Sequence, residues 1–183
     1  QQELKKILNG RFSQSESTRL NYSRGEDTYD PILSKAVVFP ETNEEVSKIL
    51  KLCNEHKVPV VPFGTGTSLE GNVVGNDKGI TISLEKMNKI LSVNTQDFDC
   101  RVQACVTREQ LNDYLREDGV FFPIDPGANA AIGGMASTSA SGTMAVKYGT
   151  MKTVITGLTV VLPNGEIMNT CLLYTSDAAD DAS

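Results

Sequence analysis

The residues best suited to chemistry lie in a glycine loop that follows a hydrophobic segment. The stretch VPVVPFGTGTSLEG, Val58 to Gly71, passes from valines and prolines into glycines and hydroxyl side chains. Backbone N–H groups of such a loop can turn toward one anion, with hydroxyl donors beside them, which is typical of a phosphate site. The loop is neither a P-loop nor a dinucleotide fingerprint, because no Gly-Lys-Ser/Thr follows and Leu69 replaces the third glycine. Taken alone, it is equally compatible with a plain glycine-rich turn.

A second segment is almost as free of large side chains. It reads DPGANAAIGGMASTSASGT, from Asp125 to Thr143. Ile132-Gly133-Gly134 leads into Met135–Thr138, which predicts a small-residue helix whose first N–H groups point at the same anion. Small residues can also serve close packing alone. A packing surface, however, does not require the turns predicted at Asp125–Gly127 and Ser141–Thr143, so the two segments together predict a clamp.

Alternating strand and helix patterns must position both segments. The first ten residues predict a helix that ends at Gly10, and AVVFP at Ala36–Pro40 predicts a short buried strand. Thr42 and Glu45 have the spacing of a capping box and open a helix that runs to His56. The segment 58–62 then forms the strand that ends at the glycine loop.

The rest of the chain continues the mixed pattern. Strands are predicted at 79–84, 89–93 and 98–106. A second capping box, Thr107 with Gln110, opens a helix with Leu111, Tyr114 and Leu115 on its apolar face and Gly119 at its end. The turn 163–165 joins two apolar strands as a hairpin. The sum predicts an α+β domain.

Three blocks resemble, in order and spacing, the FAD-binding domain of the vanillyl-alcohol oxidase type of flavoenzyme. They are VVFPETNEEVSKILKLCNEHKVPVVPFGTGTSLEG, FPIDPGANAAIGGMASTSASGTMAVKYGT and GLTVVLPNGEIM. The resemblance implies two α+β subdomains that cradle FAD, followed by a separate substrate domain. It divides the chain into an N-terminal helix and connector at 1–35 and an FAD-binding domain at 36–170, incomplete at its C-terminal end.

The resemblance also implies a set of cofactor-binding residues. The FAD pyrophosphate would be held by Phe63, Gly64, Thr65, Gly66, Thr67 and Ser68. The flavin's extended chain would be lined by Asp125, Pro126 and Gly127, with Ile132, Gly133, Gly134, Ser137 and Thr138 beside it. The pocket would be completed by Ser141, Gly142, Tyr148 and Gly149.

Non-covalent binding of FAD follows from the same resemblance. Some members of the group attach FAD through a histidine in the first loop, where this chain has Thr67. The only histidine, His56, ends the first long helix, where a solvated position suits the helix dipole.

The implied activity is that of a flavin-dependent D-2-hydroxy-acid dehydrogenase. Within the group the chain resembles the mitochondrial, cytochrome c-linked D-lactate dehydrogenases, which implies oxidation of D-lactate to pyruvate and a mitochondrial location. D-2-hydroxyglutarate dehydrogenase, a glycolate oxidase subunit and alkylglycerone-phosphate synthase share the domain and stay open. A non-enzymatic nucleotide-binding module is the alternative from another class. No cluster suited to a catalytic base, a substrate-binding cation or a metal is found, so the fragment alone is expected to be inactive.

Composition excludes several classes of protein. Of 183 residues, 39% are hydrophobic and 22% charged, which is typical of a soluble globular domain, and no apolar run approaches the roughly 18 residues of a membrane span. The net charge of −6 argues against a nucleic-acid surface.

The chain termini and the cysteines complete the expectations. The last stretch, CLLYTSDAADDAS at 171–183, resembles a translated sequencing adapter and is expected to be a non-native tail, with a native disordered terminus as the alternative. The chain begins with Gln1, so a targeting segment is not visible. Cys53, Cys100 and Cys105 lack zinc-site spacing and are expected to be small buried hydrophobic residues.

Overall fold

The first half of the chain folds into three helices and a four-stranded mixed sheet. The computed structural model describes residues 2–171. Its first elements are α1 Gln2–Leu8, β1 Phe12–Ser13, α2 Glu16–Asn21, β2 Val37–Val38, α3 Asn43–Glu55, β3 Val60–Phe63 and β4 Ile80–Ser83. The strand order is β1-β2-β4-β3; β1 is antiparallel to β2, and β4 is parallel to both β2 and β3. The glycine loop therefore starts where the edge strand β3 ends.

A buried cluster joins this sheet to α1 and α3. Leu8, Val38 and Ile49 are fully enclosed, and Ile82 is 3% exposed. Full burial of such a side chain stabilises a fold by about 1.5–3 kcal/mol. Ile49 and Cys53, which lie on one face of α3, thus hold the helix against the sheet from whose edge strand the glycine loop leaves.

The predicted capping box at the start of α3 is only half formed. The Thr42 side chain accepts a hydrogen bond from the Glu45 N–H at 3.2 Å, as expected. The Glu45 carboxylate instead accepts from the Glu41 N–H at 2.7 Å and forms a two-pronged ion pair with Arg11. Hydrogen bonds from the Arg11 guanidinium lower the pKa of Glu45. This pair ties the segment after α1 to the start of α3.

The second half of the chain contains four short helices and two hairpins. Its elements are β5 Ile90–Asn94, β6 Asp99–Val102, α4 Arg108–Leu115, α5 Ile132–Ser137, α6 Ala145–Tyr148, α7 Met151–Val154, β7 Gly157–Val161 and β8 Ile167–Cys171, with a 3-10 turn at Arg116–Asp118. The pairs β5-β6 and β7-β8 are antiparallel. Two further buried clusters lie in this half: Val106, Leu111 and Leu115, and Ile124, Met135 and Met151. Mixed helices and strands confirm the α+β prediction.

Several local predictions in this half need correction. The strand predicted to reach residue 106 ends at Val102, because the chain turns there toward α4. Cys105, beyond its end, is buried as expected, whereas Cys100 is exposed on β6. Tyr114 was predicted on the apolar face of α4 but is 59% exposed.

The C-terminal hairpin confirms the turn predicted at 163–165. Gly165 has a φ of +85°, a left-handed conformation that favours glycine. Its carbonyl accepts a hydrogen bond from the Ser47 hydroxyl of α3, which anchors the hairpin to the first half of the fold. β8 ends at Cys171, the first residue of the predicted tail, and the remainder of that tail, 172–183, lies outside the described residues.

None of the helices within residues 2–171 combines the length and the apolar character needed to cross a membrane.

Candidate functional site

An open cavity of about 710 Å³ lies where the two halves of the fold meet. The end of β3 and the glycine loop contribute Phe63–Gly66 to its wall, and the end of α2 with the connector after it contributes Asn21–Glu26, apart from Ser23. The far side is formed by residues from 85 to 110, among them Glu85, Thr107 and Gln110. A volume of several hundred Å³ is typical of small-molecule sites.

The glycine loop carries a run of free backbone donors. Among residues 2–171, the N–H groups of residues 64 to 68 find no hydrogen-bond acceptor. The strand ladder ends just before them, with the Leu84 N–H donating to the Phe63 carbonyl at 2.9 Å. Successive free N–H groups beside an open cavity are suited to an anion.

Gly64 and Gly66, the two glycines of the loop that line the cavity, are glycine for different structural reasons. Gly66 has a φ of +74°, and an added Cβ would lie 2.9 Å from Cζ of Phe63, so both its backbone and its neighbour require glycine. Gly64 lacks a positive φ, and an added Cβ would meet only the Cβ of Ala131 at 3.4 Å, an ordinary van der Waals contact. Nothing in the described protein therefore requires glycine at residue 64, whereas close approach by a ligand would.

The two small-residue segments meet at the start of α5. The Ala131 N–H donates to the Thr65 hydroxyl oxygen at 3.3 Å. Gly64 also lies close to Ala131, since an added Cβ would be 3.4 Å from the Cβ of Ala131. The two segments that the sequence predicts to form a clamp are therefore in contact.

The helix of the second segment begins three residues earlier than predicted, and two of its first N–H groups already donate hydrogen bonds within the protein. α5 starts at Ile132, whose N–H donates to the Val106 carbonyl at 2.8 Å. The Gly133 N–H donates to the Ala104 carbonyl at 2.8 Å. These two N–H groups, the first of the observed helix, are thus used to pack α5 on the segment before α4 and are not free for an anion.

Hydroxyl groups of α5 are also engaged within the helix. The Ser137 hydroxyl donates to the Gly133 carbonyl at 2.9 Å, and the Thr138 hydroxyl donates to the Gly134 carbonyl at 3.1 Å. Their oxygen lone pairs remain as acceptors, and Ser137 and Thr138 are exposed.

The glycines of the second segment divide into packing and open positions. An added Cβ at Gly133 would lie 2.8 Å from the Cβ of Ala104, and at Gly142 it would lie 1.9 Å from the Asp125 carbonyl oxygen. At Gly134 it would meet nothing within 4 Å. Gly127 is also open, but its φ of +88° accounts for glycine there. Like Gly64, Gly134 could therefore be alanine without a clash or a strained backbone in the described fold.

The remaining predicted site residues lie outside the wall of the cavity. Asp125 accepts from the Gly127 N–H at 3.0 Å and lies 3.5 Å from Nε of Arg108. Tyr148 packs edge-on against Phe121, with ring centroids 5.6 Å apart. Thr67 and Ser68 continue the loop without lining the cavity. Pro126 and Ser141 of the second segment, and Gly149 after it, do not line the cavity either.

Sequence reasoning missed the polar side chains of the connector that line the cavity. Tyr22 donates a hydrogen bond to the Glu85 carboxylate, and burial together with that bond raises the pKa of Tyr22 to about 12. Its hydroxyl is therefore protonated at neutral pH and remains a donor. Arg24 lies beside the loop, and Glu26 beside Arg24 carries the opposite charge. No periodicity marks these residues, because residues 22–26 lie in the connection between α2 and β2 and carry no helix or strand pattern.

Neither a histidine nor a metal cluster stands at the cavity. His56 is exposed at the C-terminal cap of α3. Within residues 2–171 no group of three or more His, Cys, Asp or Glu side chains is arranged to hold a metal ion.

Comparison with known proteins adds the following similarities. The family model described as FAD binding domain matches residues 34–170. The D-lactate dehydrogenase (cytochrome), mitochondrial, of Arabidopsis thaliana is 40% identical over 179 residues, covering 97% of this chain and 32% of that protein. D-lactate dehydrogenase (cytochrome) 1, mitochondrial, of Saccharomyces cerevisiae is 49% identical over 139 residues, covering 74% of this chain and 24% of that protein.

The fold is also similar to that of a solved structure of alkyldihydroxyacetonephosphate synthase. The TM-score is 0.82 at 22% identity, with 93% of this chain and 34% of that chain covered. The chain thus spans about a quarter to a third of the proteins that it matches.

Proposed function

The chain belongs to the family of FAD-binding domains, in agreement with the resemblance predicted from its sequence, and on this premise we propose that it is the FAD-binding part of a flavin-dependent D-2-hydroxy-acid dehydrogenase. The substrate is D-lactate, oxidised to pyruvate, and the electrons pass to an acceptor such as cytochrome c. The names of the relatives support this choice of substrate and acceptor, as well as a mitochondrial location.

The single observation that carries the proposal is the loop of free donors at the cavity. Five consecutive N–H groups, 64 to 68, have no acceptor within the described protein. Residues 64 to 66 line the cavity, residues 67 and 68 continue the loop beyond it, and Gly64 leaves the approach open. This arrangement fits the pyrophosphate of FAD, because an oxyanion accepts several N–H bonds at once and needs a surface without side chains.

We assign the other wall of the proposed site to the second segment, which meets the glycine loop at Ala131 outside the lining of the cavity. Gly134 is open to a ligand, and it lies one turn of α5 beyond Ala131, which contacts the loop. We assign the extended part of FAD to the surface of Asp125–Gly127 and α5. Ser141, Gly142, Tyr148 and Gly149 form the end of this surface, where Gly142 supports Asp125 through backbone contact.

The chain's own residues bind and orient the cofactor rather than the substrate. Bound FAD supplies a two-electron acceptor for oxidation of the hydroxy acid. Recognition of the substrate carboxylate requires a cation, and removal of the hydroxyl proton requires a base. Because the chain spans only about a quarter to a third of its relatives, we assign both roles to the part of the enzyme that it does not cover, and we expect no dehydrogenase activity from the 183-residue chain alone.

Attachment of FAD is proposed to be non-covalent. Thr67 carries no nucleophilic nitrogen, and His56 lies at the end of α3 rather than at the cavity. Flavin should therefore be released when the protein is denatured.

The test uses the complete enzyme, purified and scanned for the visible flavin bands. We expect bound flavin that acid precipitation releases as FAD, together with reduction of cytochrome c by D-lactate in preference to L-lactate, glycolate or D-2-hydroxyglutarate. Preference for another of these acids would overturn the substrate, and nucleotide binding without flavin would overturn the cofactor. Turnover of D-lactate by the 183-residue chain alone would contradict the assignment of catalysis to another part of the enzyme.

A further inference from the structure

We infer that the connector Tyr22–Tyr29 belongs to the cofactor site, where it positions the glycine loop through contacts separate from those of α5. The inference rests on the proposed binding of FAD by that loop. The family match begins at residue 34, so the connector lies outside the part of the chain to which FAD binding is assigned.

The first contact is a set of edge-on aromatic rings at the start of the loop. The ring of Tyr22 meets that of Phe63 edge-on, with centroids 5.1 Å apart, and meets that of Phe39 in the same way at 5.4 Å. The hydrogen bond from Tyr22 to Glu85 fixes the ring from its far end. Phe63 in turn lies under Gly66, whose Cβ position is 2.9 Å from the ring. Tyr22 thus acts on the loop through Phe63.

The second contact is between backbones at the far end of the loop. A Cβ atom at Gly25 would lie 2.6 Å from the Ser68 carbonyl oxygen, so the connector touches the loop without a side chain between them. The Asp27 carboxylate accepts from the N–H groups of Gly25, at 3.2 Å, and Tyr29, at 3.0 Å, which holds this turn of the connector in shape.

The third contact lies at the last residue of the loop. The ring of Tyr29 covers Gly71, where an added Cβ would lie 2.8 Å from the ring. The contacts of Tyr22, Gly25 and Tyr29 therefore run along the loop from its first residue, Phe63, to its last, Gly71.

These contacts matter because the loop has few bonds of its own. Its free N–H groups leave residues 64 to 68 without a ladder to hold them. Ordering a flexible backbone segment costs conformational entropy and so opposes binding, and a loop already held in shape therefore binds its ligand more tightly. We therefore regard Tyr22 as a positioning residue for the cofactor rather than as a catalytic one.

The first experiment measures the loop in the 183-residue chain without cofactor. Backbone ¹⁵N order parameters of Gly64 and Gly66 are compared for the wild type, Tyr22→Leu and the matched control Tyr114→Leu, which removes an exposed tyrosine from α4. We expect values near 0.85 in the wild type and control, and below about 0.6 in Tyr22→Leu. Unchanged order parameters in Tyr22→Leu would overturn the inference.

The second experiment measures FAD affinity in the complete enzyme. Loss of two aromatic contacts and one hydrogen bond in Tyr22→Leu should raise the Kd roughly tenfold or more, whereas Tyr22→Phe, which keeps the ring, should raise it about two- to tenfold. The melting temperature of the Tyr22→Phe apoprotein should stay within a few degrees of the wild type, which separates positioning from a general loss of stability.

A second variant keeps the inference testable if Tyr22→Leu does not fold. Gly25→Ala should push the connector away from Ser68, lower the order parameter of the Ser68 amide and raise the Kd for FAD. Equal FAD affinity in Gly25→Ala and the wild type would contradict the inference. A wild-type enzyme that binds no FAD, with a loop that still loosens in Tyr22→Leu, would refute the proposed function while supporting the positioning role.

Discussion

Replacement of Gly64 by alanine separates a glycine kept for a ligand from one kept for the fold. The backbone at Gly64 has no positive φ, and the new methyl group would only touch the Cβ of Ala131 at 3.4 Å. An alanine that fits without strain stabilises a protein by about 0.4–1 kcal/mol, because it restricts the unfolded chain. The melting temperature should therefore stay equal or rise by about 1–4 °C.

The same substitution should weaken FAD binding. If the pyrophosphate lies against the free N–H groups of 64–68, the methyl group holds it away from them. Loss of one hydrogen bond to a charged group is worth about 1.5–3 kcal/mol, which corresponds to a Kd roughly 10- to 150-fold higher. A gain in stability with a loss of affinity is the expected signature of a residue that faces the ligand.

The assay combines a thermal melt of the apoprotein with an FAD titration of the complete enzyme. Gly66→Ala serves as the contrast, because its φ of +74° and its approach of 2.9 Å to Phe63 should lower stability as well as affinity. At Gly10, φ is +85° and an added Cβ would meet nothing within 4 Å, so Gly10→Ala measures the loss of stability caused by a positive φ alone. Wild-type affinity for FAD in Gly64→Ala would refute the proposed placement of the pyrophosphate on this loop.

Three further predictions test the second segment, the ion pair and the mode of attachment. Gly134→Ala should stabilise the apoprotein by up to about 1 kcal/mol, as an alanine does in a helix, but weaken FAD binding. Gly133→Ala should destabilise the apoprotein, because its Cβ would lie 2.8 Å from that of Ala104. Urea titrations measure the stability of the two variants and FAD titrations their affinity, and a stabilised Gly133→Ala would contradict the geometry. Glu45→Gln should lower stability by about 1–2 kcal/mol at neutral pH. Because Arg11 lowers the pKa of Glu45 in the folded state, this difference is present above the ordinary carboxyl pKa and should vanish as the pH falls through the folded-state value; equal urea midpoints at neutral pH would refute it. His56→Ala should leave FAD content and its release by acid unchanged, as measured by flavin absorbance, and a loss of bound flavin would place His56 in the site.

Most of the local structure could be predicted from short patterns in the sequence. The apolar stripe of α3, the capping residues Thr42 and Thr107, and the turn at 163–165 depend on neighbours within a few residues. For the same reason the predictions erred where distant partners decide. Glu45 bonds to Arg11 instead of completing its capping box, and the strand after Asp99 ends early as the chain turns toward α4.

The candidate site was predicted in part, and unevenly. Its small residues were visible as two segments, and the positive φ of Gly66 agrees with the left-handed conformation expected of a glycine turn. The sequence could not separate Gly133, which packs on Ala104, from Gly134, which is open, because both look alike in a run of small residues. It also could not show that Ile132 and Gly133 use their N–H groups for the segment 104–106.

By itself the sequence determined which backbone can approach an anion closely, since that depends only on the absence of large side chains at 64–68 and on the small residues that dominate the second segment. Tertiary structure alone decided which glycines face the cavity, which N–H groups stay free, and that Tyr22 and Gly25 of the connector lie against the loop. The physical reason is distance along the chain. Contacts such as Tyr22 with Phe63 or Thr65 with Ala131 join residues more than 40 positions apart, and no local pattern records them.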